Sequence, residues 1–596
     1  MSILNGPRLN FWGGIRTDVS VPNNSPTIPY SSGTLNLFDL TTSTVAPSAQ
    51  VFSDDQLNAF INAPSGDYYT AGGWNHYGQH VVDMQNALIS SQGTPGNISS
   101  SGDLVGQPVY LLGSIDPVTK QGPVSGPMMV DLDPTSGQTT QIFVGGLQIG
   151  SGSTPELLIR HDTVCSSQDL AVRILVGEPD APGSSRISGT FQITFPLSSV
   201  VSYNQNSAML KSIIDAPGAT GIVLRFVMFE MCPTLTTPQL RADYASGQNT
   251  PNPSIGRVIG TLAPAYPGEP TICQNGRRLA NTGTGAGGYM ELMNDLMSVD
   301  MVNLLPKANF RSERTNVTDP IGPNIDFGTL NFTAGTTSVA TLACSDAQLQ
   351  NYYLYGGIVD FSLTADQATA VKTQPLTISA HHQNTAATLK IVESPYRIYS
   401  DQRNLYIDDY QGSLTVTLQL RYLGQPVKQH TTISISSGSS GTLDNPDYLD
   451  FPTSVTLAAN QESVSFTAAA RTSSAATAGF EVLNYTCNGG SYFTNFRKYK
   501  QTNFGIPAGS TITWEQVYTN VLRFHYLAFP AMSRFIPLNQ ADAILNAKNA
   551  IIARTSSAYK NTTLFMPVVR SMSPSQTALL RAYLTGEGWQ GLCSNM

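Results

Sequence analysis

The sequence predicts a mainly β, multidomain protein: β-sandwich or barrel domains, an immunoglobulin-like (Ig-like) sandwich and a small C-terminal helical module. Three observations lead there. Only 12% of the 596 residues are charged, against about 25% in an average soluble domain. The chain carries 51 Gly and 37 Pro, the punctuation that short strands need. Candidate strands bounded by Gly, Pro, Asp or Ser recur along most of its length, whereas a helical protein of this size would be richer in Glu, Lys and Ala. With 41% hydrophobic residues the chain can build sizeable cores, and its length suits roughly four units of about 150 residues each.

Residues 1–270 read as one β-rich domain. Ile3, Leu9, Phe11 and Ile15 are apolar, Pro7 removes a backbone donor, and Gly13-Gly14 permits a bend, so the start reads as a strand entering a turn. Further strands are expected at 109–112, 141–144, 156–159, 170–176 and 189–195. The apolar run 222–229 reads as a central strand buried on both faces, provided that Arg225 finds a partner. Residues 271–395 read as a second β-rich domain with one helix. Met290, Met293, Leu296, Met297 and Met301 recur at helical spacing and predict that helix over 290–305. Strands follow at 330–332, 338–342, 357–363, 375–379 and 389–393.

Residues 396–487 carry the Ig-like pattern. Leu414, Val416, Leu418 and Leu420 alternate with polar residues, a half-buried strand of period two, and similar runs follow at 433–435, 455–457 and 464–466. The Cys–Trp–Cys hallmark of antibody domains is missing, so the likeness is one of topology. Residues 488–596 become helical: one helix over 514–526, a second over 540–553 capped by Asn539, and a third begun by Ser573-Pro574 and stopped by Gly586.

A net charge of −8 without clustered Lys or Arg gives nothing to attract a phosphate backbone, so nucleic acid is not an expected partner. The longest apolar stretch, 221–231, contains Arg225 and falls short of the about 20 apolar residues that a spanning helix needs. The N-terminus lacks a basic start followed by an apolar run, so a cytoplasmic protein is expected, with export by a dedicated machine left open. Six widely spaced cysteines without a CxxC pair read as free core thiols.

Several short motifs in order over residues 1–270 carry a resemblance: Met1-Ser2-Ile3-Leu4, Pro7-Arg8, Phe11, Gly13, Gly73-Trp74-Asn75-His76-Tyr77, Val130-Asp131-Leu132-Asp133-Pro134-Thr135, Phe229-Glu230-Met231 and Gly256-Arg257-Val258-Ile259-Gly260. This region resembles the N-terminal, β-rich part of the dimer-forming synthases of bis-indole pigment pathways, iminophenyl-pyruvate dimer synthase and chromopyrrolate synthase. The resemblance implies oxidative chemistry housed in a following ferritin-like helical domain. Such a domain needs Glu-x-x-His pairs on facing helices, and this chain has no Glu-x-x-His and reads mostly as strands there.

The remaining candidates are weighed against plainer roles. Trp74, His76 and Tyr77 combine a titratable ring with aromatic walls and are the candidate catalytic group. His76 and His80 have metal-ligand spacing only on a helix, which the flanking glycines oppose, so hydrogen-bonded turn histidines are the expectation. His381-His382 would point to opposite faces of a strand. Asp131 and Asp133, with Asp116 upstream, are candidate ligands for a hard cation, and turn capping before Pro134 explains Asp133 equally well. Gly283–Gly288 satisfies GxGxxG but follows no buried strand and reads as a linker. His525 and Met566 are a conceivable axial haem pair, but the Cys-x-x-Cys-His of a c-type haem is absent. No cofactor is predicted.

These readings point to a non-catalytic binding, scaffolding or assembly protein, with protein partners or self-association and a small aromatic ligand as its expected contacts. The rivals are an enzyme or enzyme partner in oxidative secondary metabolism, acting on an aromatic amino-acid-derived substrate, and an exported toxin or cargo protein.

Overall fold

The computed structural model describes residues 3–20, 27–62, 75–123, 125–173, 187–307, 324–381, 388–409, 412–439, 448–471 and 478–591. Its architecture is mainly β and multidomain, as the composition requires.

The first unit is two facing antiparallel sheets. One runs, in spatial order, Gln168–Val172, Ile187–Pro196, Gly221–Pro233, Ser254–Ala265, Arg8–Thr17, Val82–Thr94 and Asn97–Ser99. The other is built on Thr140–Ile149, flanked by Leu157–Ser166, Val109–Leu112 and Met128–Asp131. Leu9, Phe11, Phe226, Ile142 and Leu147 are among the residues buried between them, and the rings of Phe191 and Phe226 stack at 5.4 Å. The opening segment is one continuous strand, Arg8–Thr17, and does not turn at Gly13-Gly14. Gly13 instead faces a bulge in the neighbouring strand, where an added Cβ would lie 2.3 Å from the Asn86 carbonyl oxygen. The glycine serves close approach of two backbones.

The second unit is an eight-stranded antiparallel sheet formed by Arg277–Asn281, Gly287–Met293, Leu296–Asp300, Gly328–Ala334, Thr337–Cys344, Ile358–Ser362, Leu376–His381 and Thr388–Glu393. The helix expected over 290–305 is a β-hairpin. Met293 pairs with Leu296, so only Asn294-Asp295 turns the chain, and Asn294 takes the left-handed conformation (φ 58) that such a tight turn needs. The unit's helices lie elsewhere, at Asp346–Tyr353 and Ala365–Thr373. Each is started by a capping box, Ser345 with Gln348 and Thr364 with Gln367.

The Ig-like sandwich packs Tyr396–Tyr399, Ser413–Tyr422, Ser463–Ala470 and Leu449–Asp450 against a sheet of Asn404–Asp408, Gly490–Tyr499, Gly479–Cys487, Thr431–Gly438 and Ser454–Leu457. Its last strand, Gly490–Tyr499, lies beyond the boundary expected at residue 487 and pairs in parallel with Asn404–Asp408. That strand buries Arg497 and Lys498, which breaks the apolar alternation by which a strand is recognised.

At the C-terminus, Trp514–Val517, Tyr518–Leu522 and Arg523–Ala528 form one helical run with a π turn at its centre. The stretch expected as one helix over 540–553 divides into Ala541–Asn546 and Lys548–Arg554, and no side chain caps its start. Pro574–Thr585 begins and ends as the sequence predicts, with a Ser573–Gln576 capping box and a left-handed Gly586 (φ 72). No helix among the described residues is long and apolar enough to cross a membrane.

These units are tightly joined. Phe524, Leu527 and Phe529 of the C-terminal helices share a core with Leu37, Leu57, Ile61 and Phe143 of the first unit. Among the described residues, four ion pairs run between the first and second units: Arg8–Asp360 (2.7 Å), Arg225–Asp300 (2.6 Å), Arg278–Asp169 (2.6 Å) and Lys307–Glu230 (3.1 Å). Arg225 thus finds the partner that its place in a buried strand demands. Cys165, Cys232, Cys273, Cys344 and Cys487 are buried free thiols, and Cys593 lies outside the described residues.

Candidate functional site

The segment holding His76 and His80 crosses from the first unit toward the C-terminal helices. His76 is fully buried. Its Nε2 lies 3.2 Å from the Leu527 carbonyl oxygen and its Nδ1 2.9 Å from Asn62 Oδ1; both partners accept, so the neutral ring donates to one of them. Burial pushes its pKa down to about 4, against the weaker pull of the Leu527 carbonyl. The hydroxyl of Tyr77 donates to Asn62 Oδ1 (3.2 Å), and its ring lies under the Arg534 guanidinium at 5.6 Å. Trp74, the third member of the group, lies outside the described residues. His76 lies against a chain segment 451 residues away, which is a structural role.

His80 sits in a separate environment and does not share ligands with His76. Its backbone is left-handed (φ 63), a conformation uncommon outside glycine. Two backbone bonds hold it there, from His80 N–H to the Asp18 carbonyl (2.7 Å) and from Met129 N–H to the His80 carbonyl (2.8 Å).

The carboxylates also part company. Asp131 accepts from the Thr140 hydroxyl (2.6 Å), and burial pushes its pKa up to about 7. Asp133 accepts from the backbone N–H (2.8 Å) and hydroxyl (2.7 Å) of Thr135, the turn-capping role before Pro134. Asp116 caps its own turn through Val118 and Thr119 N–H. Among the described residues no three His, Cys, Asp or Glu side chains converge as a metal would require. The GxGxxG stretch is the loop of a hairpin, with Asn281 Oδ1 accepting from Gly283 and Thr284 N–H; it is not a linker. His381 ends a strand in the second sheet, and His382 lies outside the described residues.

An apolar cavity brings together what the sequence kept apart. It measures about 610 Å³ and lies between residues 78–81 and 125–128 of the first unit and the C-terminal helical region from Leu522 to Leu580. Met128, Phe529, Met532, Met566 and Met572 give it a soft apolar lining, and Phe535, 73% exposed, marks where it reaches the surface. Both His80 and His525 line it. His525 is engaged at both nitrogens, Nδ1 with the Val521 carbonyl (2.7 Å) and Nε2 with the Ser571 hydroxyl (2.8 Å), and burial pushes its pKa down to about 4. Met566 does line the same cavity as His525. A site assembled from segments roughly 400 residues apart leaves no local sequence signal; the available hint was the density of Met between 532 and 572.

A second, polar cavity of about 300 Å³ lies where the three β units meet, against Arg278, Arg397, Arg403, Asp169 and Tyr492. Its arginines are engaged in holding the junction: Arg278 pairs with Asp169, Arg397 bonds the carbonyls of Gln274 and Gly276, and Arg403 lies over the Phe493 ring.

The chain matches no protein-family model and no curated protein sequence. Among solved structures it is similar to the apo form of the Calx CBD1 domain (8% identity, TM-score 0.15, covering 18% of this chain and all of that one). It is also similar to extracellular domains 3–5 of Drosophila OTK (12% identity, TM-score 0.11, covering 29% of this chain and 54% of that one). A third similarity is to Escherichia coli alpha-2-macroglobulin activated by porcine elastase (8% identity, TM-score 0.12, covering 86% of this chain and 43% of that one).

Proposed function

We propose that this protein is a non-catalytic binding protein whose working site is the apolar cavity between the first β unit and the C-terminal helices. The cavity itself carries the reading. Its volume of about 610 Å³ falls within the roughly 300–1,000 Å³ of small-molecule sites, which are largely apolar with a few placed polar groups. The two histidines on its wall are held neutral by burial, with pKa values near 4, and so are weak bases at neutral pH. The cavity has walls from opposite ends of the chain, held together by a shared core and by the Arg523–Asp54 ion pair (2.7 Å).

The resemblance of residues 1–270 to the pigment dimer synthases supports an aromatic ligand. It supports equally the rival reading of an enzyme partner in oxidative metabolism of such compounds. Binding separates cavity from no cavity. A neutral environment-sensitive dye, N-phenyl-1-naphthylamine, is expected to bind the full chain saturably with one-to-one stoichiometry. Filling the cavity by Ala531→Phe or Met532→Trp should weaken that binding at least tenfold while the far-UV circular dichroism stays unchanged. A wild-type protein that shows no saturable binding, or variants that bind as it does, would overturn the proposal.

A further inference from the structure

Among the described residues that line the cavity, His80 carries a buried polar atom without a hydrogen-bond partner. Nδ1 of His80 lies 3.0 Å from the Met129 carbonyl oxygen. A carbonyl can only accept, so Nδ1 carries the proton and Nε2 carries a lone pair. That Nε2 is buried and meets no hydrogen-bond partner among the described residues. The other polar lining groups differ. His525 is engaged at both nitrogens, Thr555 donates to the Ile551 carbonyl (2.8 Å), and Ser125 shares a hydrogen bond with Thr563 (3.0 Å).

The backbone makes this arrangement deliberate in the physical sense: it is held against a cost. A histidine at φ 63 is less favourable than one in the extended region, and its N–H and C=O are both tied to neighbouring backbone, at Asp18 and Met129. The Nδ1 edge is turned to Met129, Nε2 lies on another edge of a ring that is among those lining the cavity, and Nε2 itself is buried, so a ligand donor reaches it only by pressing in beside that ring. The Phe529 ring stands beside it, centroids 5.8 Å apart. Burial, and the charge of Arg570 nearby, disfavour a second proton on the ring, and its pKa is pushed down to about 4. Nε2 therefore stays an acceptor through the neutral range. A buried acceptor without a partner is costly, and a ligand donor that reaches it removes that cost.

We infer that the cavity takes a neutral aromatic molecule bearing one hydrogen-bond donor, a phenolic hydroxyl or a ring N–H, which the His80 Nε2 lone pair accepts. The inference rests on the cavity being the binding site. Aromatic character follows from the methionines and phenylalanines of the lining, since thioether sulfur and ring edges favour a π face. Arg554 is the one charged residue among the described lining residues, and its charge acts on Asp116 and Tyr559, so a neutral ligand suits the rest of the wall.

Calorimetric titration of the full chain with 2-naphthol and with 2-methoxynaphthalene tests this, because the two probes share a ring system and differ in the donor. Binding of 2-naphthol is expected to be about tenfold tighter, the size of one hydrogen bond to an otherwise unsatisfied buried group. His80→Phe should reduce 2-naphthol to the level of 2-methoxynaphthalene and leave the latter unchanged. Should that variant fail to fold, wild-type protein labelled with 15N-histidine supplies the same information: 2-naphthol, and not its methyl ether, should shift the Nε2 resonance of one neutral, Nδ1-protonated ring. Equal binding of both probes, or an unmoved Nε2 resonance, overturns the role of His80 while the cavity reading stands. Binding of neither probe overturns both.

Discussion

Replacing Asp360 with Asn should destabilise the protein more than replacing its partner, Arg8, with Met. Arg8 lies in the first unit and is 1% exposed; Asp360 lies in the second and is 9% exposed. The guanidinium has two acceptors, Asp360 Oδ2 at 2.7 Å and the Leu4 carbonyl at 2.9 Å, and its Nε meets none. The carboxylate is better served, since it also accepts from Gly96 N–H (2.9 Å) and the Ser298 hydroxyl (2.6 Å). Asp360→Asn strips a fully buried cation of its counter-charge, for which a loss of about 3–5 kcal/mol is expected. Arg8→Met leaves a carboxylate with two donors and some water, for which about 1–3 kcal/mol suffices. In the double variant the stranded cation is gone, so it should be more stable than Asp360→Asn alone. Urea unfolding followed by tryptophan fluorescence measures all three. Costs that simply add, or an Asp360→Asn variant within about 1 kcal/mol of wild type, would refute the view that this pair joins two units through a buried cation.

Gly13→Ala should cost at least about 3 kcal/mol, the upper end for overpacking, because its Cβ would meet backbone atoms of Asn86 and Ala87 at 2.3–2.7 Å; Gly33→Ala, with nothing within 4 Å, is the control expected to leave the urea midpoint unchanged. Ser573→Ala removes the capping box of Pro574–Thr585 and should lower stability by about 1 kcal/mol, with faster hydrogen exchange confined to that helix. A native-state NMR titration should find that His76, His80 and His525, whose pKa values lie near 4, remain neutral through the physiological range, so at most four of the seven histidines titrate near pH 6–7. In the unfolded chain all three titrate near 6.5, so their contribution to stability is present above that pH and is lost as pH falls toward 4. More than four rings titrating near neutrality would contradict the burial on which this rests.

Where local chemistry decides structure, the sequence was readable. Ser573-Pro574 and Gly586 mark both ends of a helix because capping is a contact between residues three or four apart. The Leu414–Leu420 alternation is a strand because one face is buried, and Val416, Leu418 and Leu420 are indeed the buried set. The Met290–Met301 stretch misled, since its methionines satisfy a helical template while Asn294-Asp295 supplies a hairpin turn, and pairing with Ile358–Ser362 on the far side settles the matter. The C-terminal helices looked like an independent module because their apolar faces are visible and their partners, Leu37 to Phe143, are not adjacent in sequence. For the same reason the cavity was illegible: His80 looks like half of a weak metal motif until Met129 is seen to hold its Nδ1.

The low charge content has a structural meaning that composition alone does not convey. Arg8, Arg225, Lys307 and Glu230 are each at most 1% exposed at the side chain, and all four pair across one interface. A chain poor in charge has placed buried charges where two β units must dock in a single register, a use for which ion pairs suit better than interchangeable apolar contacts. Several residues on which the pigment-synthase resemblance rests belong to this framework. Arg8 and Glu230 are two of the paired charges. Phe11 pairs with Gly260, and a Cβ there would meet the Phe11 ring at 2.1 Å, so one motif fragment fits another across adjacent strands. Asp133 caps a turn. These residues therefore specify how a sheet is built and docked. The cavity draws its other wall from residues 522–580, outside the reach of that resemblance, so under the proposed binding role a change of ligand needs no change in any motif of the first 270 residues.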